Sequence, residues 1–354
     1  MMNGDTSLDI RAITKEELEH FLLLHGEKKF RAGQVFEWLW QKSCRSFDDM
    51  TNLHKNTRQL LKEHFLFNKA FAENHQKSSD GTVKIGFRLY DGFLVEGVLI
   101  PSDDRITACI SSQVGCALGC KFCATGYLGF RRNLSVGEII DQLTGIQNPL
   151  ASGEKNISNI VFMGMGEPFL NYENVLTAIE KITSEDGLGM SPQRITVSSI
   201  GIPRMIKKMA DDDPKYHFAL SLHAANDTKR DQIIPFNLKH PLKEIIEALK
   251  YYHQKTGKRI TIEYILFGNF NDSVSDAKEL AIFCRNFPVK INIIEYNPVK
   301  ESGFTKSQPE MTKGFIGYLE RCNIVVNIRK SRGKDIEAAC GQLAGNQIKS
   351  KNQC

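Results

Sequence analysis

Three cysteines, Cys116, Cys120 and Cys123, share one short run, Gly115-Cys116-Ala117-Leu118-Gly119-Cys120-Lys121-Phe122-Cys123. A C-x3-C-x2-C spacing lets three thiolates converge on one inorganic centre. A structural zinc site is closed by four ligands, and no fourth Cys or His stands beside this run. Three thiolates suit an iron–sulfur cluster with one iron left open. An open iron can bind a substrate or cofactor directly, so the spacing points to chemistry rather than to a structural staple.

Other polar groups recur at the ends of apolar runs. They are Gly164-Met165-Gly166-Glu167-Pro168, Thr196-Val197-Ser198-Ser199, Ser221-Leu222-His223 and Asn297-Pro298. If those runs are parallel strands of a barrel, their C-terminal ends meet at one mouth. Glycine-rich backbone, a carboxylate, hydroxyls and an amide gathered there beside the cysteine loop make a site for a polar cofactor.

The elements needed to position them are legible. Thr14 followed by Glu17 predicts a capping box for a helix through Leu24, and further helices are expected over 32–42 and 55–64. Strands at 83–89 and 92–100 predict a hairpin turning at Asp91-Gly92. Strands then follow at 107–112, 159–163, 194–200, 217–223, 259–266 and 290–296. Helices at 135–146, 171–184, 202–210, 241–256 and 273–286 lie between them. A helix at 311–322 and a strand at 323–329 follow. This alternation predicts parallel strands with right-handed crossovers, and the first strand leads into no Gly-x-Gly-x-x-Gly fingerprint. The expected fold is α/β: a partial (β/α)6 barrel with a small N-terminal helical domain and a β-hairpin extension. The expected boundaries are residues 1–80 for the helical accessory domain and 81–354 for the core with a C-terminal segment carrying Cys340.

The chain has 354 residues, 41% of them hydrophobic and 25% charged, with net charge +5. No apolar run approaches the roughly 20 residues of a membrane span, and the polar stretch from Met1 to Asp9 lacks the apolar core of a secretory signal. The whole charge excess lies in residues 300–354, much of it at Arg329, Lys330, Arg332 and Lys334. Such a patch can hold phosphates. The chain's 9 cysteines are unevenly spaced and do not read as a secreted disulfide framework; a reducing cytoplasm is expected. Cys44, Cys284 and Cys322 lie in or beside apolar helical stretches and read as structural, and Cys354 carries no assignment.

The cysteine run, with aromatic Phe122 before its last Cys, resembles the radical-SAM superfamily. That resemblance implies a [4Fe–4S] cluster on Cys116, Cys120 and Cys123, with S-adenosylmethionine on the fourth iron. Gly166 and Glu167 would hold the methionine ammonium. Three longer stretches, Cys109-Ile110-Ser111-Ser112-Gln113-Val114-Gly115-Cys116, Met163 to Pro168 and Arg332 to Leu343, resemble the RlmN/Cfr family of radical-SAM RNA methyltransferases. The likeness runs over nearly the whole chain. Val114 and Pro168 resemble the branch that methylates C2 of adenine, in 23S rRNA and in certain tRNAs. Methylation of C8 is the alternative within the family, and a non-catalytic metal-containing RNA-binding protein is the alternative outside it.

The resemblance also implies a division of labour. Cys340 takes a methyl group from one S-adenosylmethionine. A second is cleaved to a radical that removes hydrogen from that methyl, and the carbon adds to the electron-poor C2. Glu96 takes the C2 proton, and Cys109 attacks the Cys340 sulfur to release product and leave a disulfide. Ser198, Ser221, Leu222, His223 and Asn297 match positions that contact S-adenosylmethionine. Arg329, Lys330 and Arg332 would receive RNA phosphates. Implied partners are 23S rRNA, tRNA, an external electron donor such as flavodoxin, and a disulfide reductant; a monomer is expected, with no membrane partner.

Overall fold

The computed structural model describes residues 8–102, 104–147 and 156–344. Residues 1–7 of the polar N-terminus, the end of the basic tail and Cys354 lie outside them.

Among the described residues, a 10-stranded sheet organises the chain. Its strands are β1 (Phe71–Lys77), β2 (Val83–Arg88), β3 (Leu94–Pro101), β4 (Ile106–Cys109), β5 (Asn159–Phe162), β6 (Ile195–Ser199), β7 (His217–Ser221), β8 (Ile260–Leu266), β9 (Val289–Glu295) and β10 (Val325–Arg329). Their spatial order follows chain order without reversal. From β4 to β10 every pairing is parallel, whereas β1, β2 and β3 pair antiparallel and β3 meets β4 antiparallel.

That order selects the architecture. An open doubly wound sheet reverses its strand order at a switch point. Right-handed crossovers in an unreversed order place their helices on one side, so the twisted sheet curls into the expected part-barrel. The crossovers carry helices Val136–Gln147, Tyr172–Thr183, Pro203–Asp211, Leu242–Thr256 and Val274–Cys284, and Pro309–Arg321 leads to β10. Every residue of β8 is buried, as expected for a parallel strand covered on both faces. Beneath the helices, Phe169 stacks on Phe218 with centroids 5.6 Å apart.

The N-terminal helices form as their caps direct. The Thr14 hydroxyl accepts from Glu17 N at 3.1 Å, and Glu17 reaches back to Thr14 N at 2.7 Å. The expected helix over 32–42 is an α-helix at Arg31–Phe36 that widens into a π-helix at Glu37–Gln41. Buried Arg11 joins this region to the core: it pairs with Asp141 at 3.0 Å and donates to the Asn68 and Gly137 carbonyls.

Several elements depart from expectation. β1 extends the hairpin by a strand, although its sequence, Phe-Ala-Glu-Asn-His-Gln-Lys, is polar on both faces. It is an edge strand, bulged between Glu73 and His75, so it has no apolar face to reveal it; its charges also discourage further edge pairing. A two-stranded ribbon, Gln113–Gly115 with Phe130–Asn133, follows β4. A short helix at Asp227–Ile233 follows β7. The strand expected over 107–112 is regular only at Ile106–Cys109, because the three polar residues after Ile110 turn to other partners described below.

Gly145 tests the packing of helix Val136–Gln147 on the antiparallel strands. A Cβ there would sit 2.4 Å from Phe87 Cε1. Gly→Ala in a helix gains about 1 kcal/mol of propensity, but overpacking costs about 1–3 kcal/mol. Gly145→Ala is expected to lower the melting temperature, and Phe87→Leu to restore it; a stabilised Gly145→Ala protein would contradict this packing.

Candidate functional site

The loop after β4 is held compact by backbone contacts. Gly115 has φ of +71°, and a Cβ on it would lie 1.8 Å from the Gly129 carbonyl oxygen, which accepts from Cys116 N at 3.1 Å. Lys121 N donates to Ile233 O at 2.9 Å, and Cys123 N donates to Cys120 O at 3.2 Å. Cys116, Cys120 and Cys123 are free thiols, and all three line one cavity.

Burial pushes the Cys116 thiol up to about 12. It also raises Cys120, which the charges of Cys123 and Cys116 raise further. Three mutually repelling thiolates in a dry wall need a cationic centre to form together. Among the described residues no group of three His, Cys, Asp or Glu is placed to hold one metal ion. A cubane does not ask for that convergence, because each thiolate takes its own iron. Three free thiols sharing one cavity are a donor set that fits such a cluster.

Opposite lies the turn after β5. Gly164 N donates to Ile110 O at 3.0 Å, and a Cβ on Gly164 would come 2.6 Å from that oxygen. Gly166 adopts φ of +94°, with its Cα face against Gln113. Three residues after β4 splint this turn. The Ser111 hydroxyl accepts from Met165 N at 2.8 Å, Ser112 N donates to Met165 O at 2.8 Å, and the Gln113 side-chain oxygen accepts from Glu167 N at 2.8 Å. The sequence motifs assign Ser111, Ser112 and Gln113 no role of their own, although three polar residues closing an apolar strand are a legible signal.

Glu167 is buried, and its carboxylate accepts from Phe169 N at 3.0 Å and Ile200 N at 3.1 Å. Burial nevertheless pushes it up to about 7. Among the described residues it has no ion-pair partner. A buried carboxylate of this kind suits a cationic ligand such as an ammonium.

The next strands bring their polar ends to the same cavity. Ser198 on β6 and Ser221 on β7 share a hydrogen bond of 2.9 Å, and both line the cavity with His223, Glu167 and Gly166. His223 is held at φ of +58°. Its Nδ1 accepts from Ile265 N at 3.1 Å, and burial followed by the Arg230 charge lowers it to about 3. The ring is therefore neutral and carries its proton on Nε2, aimed away from that bond. Leu222 does not line the cavity; it is buried behind it, and its carbonyl accepts from Arg230 Nε at 3.1 Å. Asn297 stands behind the C-terminal segment, with Nδ2 3.4 Å from the Cys340 carbonyl oxygen and a buried Oδ1 without a hydrogen-bond partner among the described residues.

Two charged residues were missed. Arg230, on the short helix Asp227–Ile233, is fully buried and its charge bears on Cys120; nothing in its local sequence marks it. Glu263 is buried on β8 and lines the cavity. A lone carboxylate inside the apolar run Ile260–Leu266 was a signal that could have found it.

Cys340 lies on an irregular segment pinned at many points. Asp335 accepts from the Ser78 hydroxyl at 2.6 Å, Gly333 N donates to Asp80 at 3.0 Å, and Ala124 N donates to Gly341 O at 2.7 Å. The Thr125 hydroxyl holds the Leu343 carbonyl at 2.6 Å. Cys340 itself is exposed into the cavity. Cys109 is buried behind it, pushed up to about 12 by burial and then by the neighbouring Cys340. The Arg329 guanidinium stays partly exposed and also reaches buried Glu263 at 3.4 Å, and its charge favours the thiolates of both Cys109 and Cys340. Lys330 and Arg332 stay exposed.

Glu96 lies outside the cavity lining, buried on β3 under the same segment. It accepts from Ala344 N at 2.9 Å and pairs with Lys84 at 3.6 Å. Cys44 and Cys284 are buried in the core and Cys322 packs partly against it, as their apolar surroundings suggested.

Known proteins resemble this chain in sequence and fold. Residues 8–66 match the model of the ribosomal RNA large subunit methyltransferase N-terminal domain, and residues 110–281 match the radical SAM superfamily. The chain is 53% identical, over 96% of its length and 97% of the relative's, to a probable dual-specificity RNA methyltransferase RlmN of Christiangramia forsetii. It is 44% identical, over 96% of each chain, to the dual-specificity RNA methyltransferase RlmN of Nitratidesulfovibrio vulgaris. A crystal structure of a radical SAM methyltransferase from Sphaerobacter thermophilus superposes with TM-score 0.90 at 37% identity, covering 96% of this chain and 99% of that one.

The buried Glu167 gives a pH test. Its folded value, near 7, lies above the ordinary 4.5. The stability tied to its protonated form is present below about 4.5 and is lost as pH rises through 7. The shift amounts to at most about 3 kcal/mol. Glu167→Gln should therefore raise the melting temperature of ligand-free protein by a few degrees at pH 8 and change it little at pH 5. Equal effects at both pH values would contradict this environment.

Proposed function

The chain belongs to the RlmN family of radical-SAM RNA methyltransferases, and from that premise we propose that it methylates C2 of an adenine in 23S rRNA and in certain tRNAs, carrying the methyl carbon on Cys340. The observation that carries the proposal is the single cavity. It presents the Cys340 side chain to the same space as Cys116, Cys120, Cys123 and Glu167, with Cys109 close enough for its charge to be felt. Val114 and Pro168 support C2 over C8.

Cys116, Cys120 and Cys123 would hold the [4Fe–4S] cluster. When bound, that cluster with S-adenosylmethionine supplies one-electron cleavage of the sulfonium to a 5′-deoxyadenosyl radical. Glu167 and the Gly166 backbone bind the methionine ammonium. Ser198, Ser221 and neutral His223 offer hydroxyl and imidazole contacts to the rest of the cofactor. Leu222 and Asn297 act from behind, Leu222 through its backbone and Asn297 by fixing the Cys340 loop. Two molecules of S-adenosylmethionine serve each turnover, one as methyl donor and one as radical source.

The sulfur chemistry belongs to the chain's own residues. Cys340 Sγ bears the methyl carbon that becomes bonded to C2. The Glu96 carboxylate takes the C2 proton once the C-terminal segment releases it. As that proton leaves, the one unpaired electron of the adduct would return to the cluster; Cys109 Sγ, as thiolate, then attacks Cys340 Sγ, so the S–S bond forms as the S–C bond breaks, and the electron pair departs with the product carbon, which takes a proton to complete the methyl group. Exchange of this type needs a thiolate, and Arg329 lies where it favours one on either sulfur. An external reductant such as a flavodoxin system resets the pair and supplies the cluster's electron. A monomer in the bacterial cytoplasm is the setting consistent with this chemistry.

Anaerobic reconstitution with 23S rRNA fragments and tRNA tests the proposal. Formation of 5′-deoxyadenosine and 2-methyladenosine is expected. 8-Methyladenosine would assign the other branch, and no 5′-deoxyadenosine would overturn the reading.

The sulfur roles separate by substitution. Cys340→Ala should still bind S-adenosylmethionine but acquire no methyl group by intact-protein mass spectrometry. Cys109→Ala should accumulate a covalent protein–RNA adduct on denaturing gels, whereas free product at the normal rate would remove its role.

A further inference from the structure

A ledge of exposed side chains borders the cavity mouth. Tyr127, Leu128 and Phe130 are 42%, 41% and 45% exposed. They directly follow Thr125 and Gly126, which line the cavity. The ledge is rigid. Tyr127 closes the short helix Ala124–Tyr127, and its hydroxyl donates to Lys121 O at 2.9 Å. Gly129 turns in the left-handed region, and its carbonyl accepts from Cys116 N at 3.1 Å. Phe130 opens the strand paired with Gln113–Gly115. Lys121 and Arg131 beside it are exposed. Farther along, the Arg132 guanidinium lies over the ring of exposed Tyr90 at 5.0 Å.

Exposed aromatic side chains among cations suit single-stranded nucleic acid. The Cys340 sulfur lies inside a cavity, so an adenine must leave its stack to reach it. The bases it leaves behind lose a stacking partner, which the ledge is placed to replace. We propose that Tyr127, Leu128 and Phe130 form a stacking platform for the RNA bases flanking the target adenosine, with Lys121 and Arg131 meeting their phosphates. This rests on the RNA-methyltransferase reading above and adds the surface that receives the substrate's neighbours.

The test uses the reconstituted protein and an RNA stem-loop carrying the target adenosine in its loop with 2-aminopurine beside it. Base–aromatic stacking is worth about 1–3 kcal/mol per base, or about 5- to 150-fold in affinity. Wild type should bind and quench the 2-aminopurine on stacking. Tyr127→Ala and Phe130→Ala should each weaken binding within that range and lose the quenching. Tyr127→Phe, which keeps the ring but drops the bond to Lys121 O, should bind like wild type. Ala variants that bind and quench like wild type overturn the platform while leaving the methyltransferase reading intact. So does a Tyr127→Phe variant as weak as Tyr127→Ala, which would make the hydroxyl's structural bond the cause. A wild type that fails to bind the RNA overturns both.

Discussion

The cavity gathers acids whose charged forms its own walls disfavour. Cys116, Cys120, Cys123 and Glu167 are all pushed upward by burial. Concentrating such groups is costly unless cations answer them, and the fold places two. Arg230 stands behind Cys120 on the cluster side, and Arg329 stands by Cys340 and Cys109 on the transfer side. The remaining demand falls on ligands: a metal centre for three thiols and an ammonium for Glu167. The resting protein is arranged for cations it must acquire, and that is what makes the site a cofactor site rather than a polar core.

The barrel supplies the convergence. An unreversed parallel sheet brings the ends of β4 to β9 to one mouth, and the residues after β4 do double duty there. Ser111, Ser112 and Gln113 hold the turn that carries Gly166 and Glu167, and the same segment leads into the cysteine loop. The antiparallel strands and the C-terminal segment close the other side. Asp80, Ser78 and Thr125 pin the chain on either side of Cys340. The segment that carries Cys340 thus gains a defined position, with Ala338 and Leu343 buried on either side.

Most of this was legible where chemistry and periodicity agree. Strand-end motifs placed Glu167, Ser198, Ser221 and His223 on one cavity, and helix boundaries fell within a few residues of their caps. What stayed hidden had no local signal. β1 is polar on both faces, so only its pairing with β2 makes it a strand. Arg230 sits on a helix of ordinary charged sequence, and only the fold turns it inward. Arg329 reads as part of a basic tail until Glu263, across the sheet, draws it to the sulfurs. Glu263 was the exception, a carboxylate in an otherwise apolar strand.

The central claim is that the transferred carbon passes through Cys340, and a single-turnover pulse–chase tests it most directly. Protein carrying an isotopically labelled methyl group on Cys340 is mixed with RNA and unlabelled S-adenosylmethionine under reducing, anaerobic conditions. The account requires the label to leave Cys340 and appear at C2 of the adenine in equal amount. Label that stays on Cys340 while the RNA gains an unlabelled methyl group would contradict it.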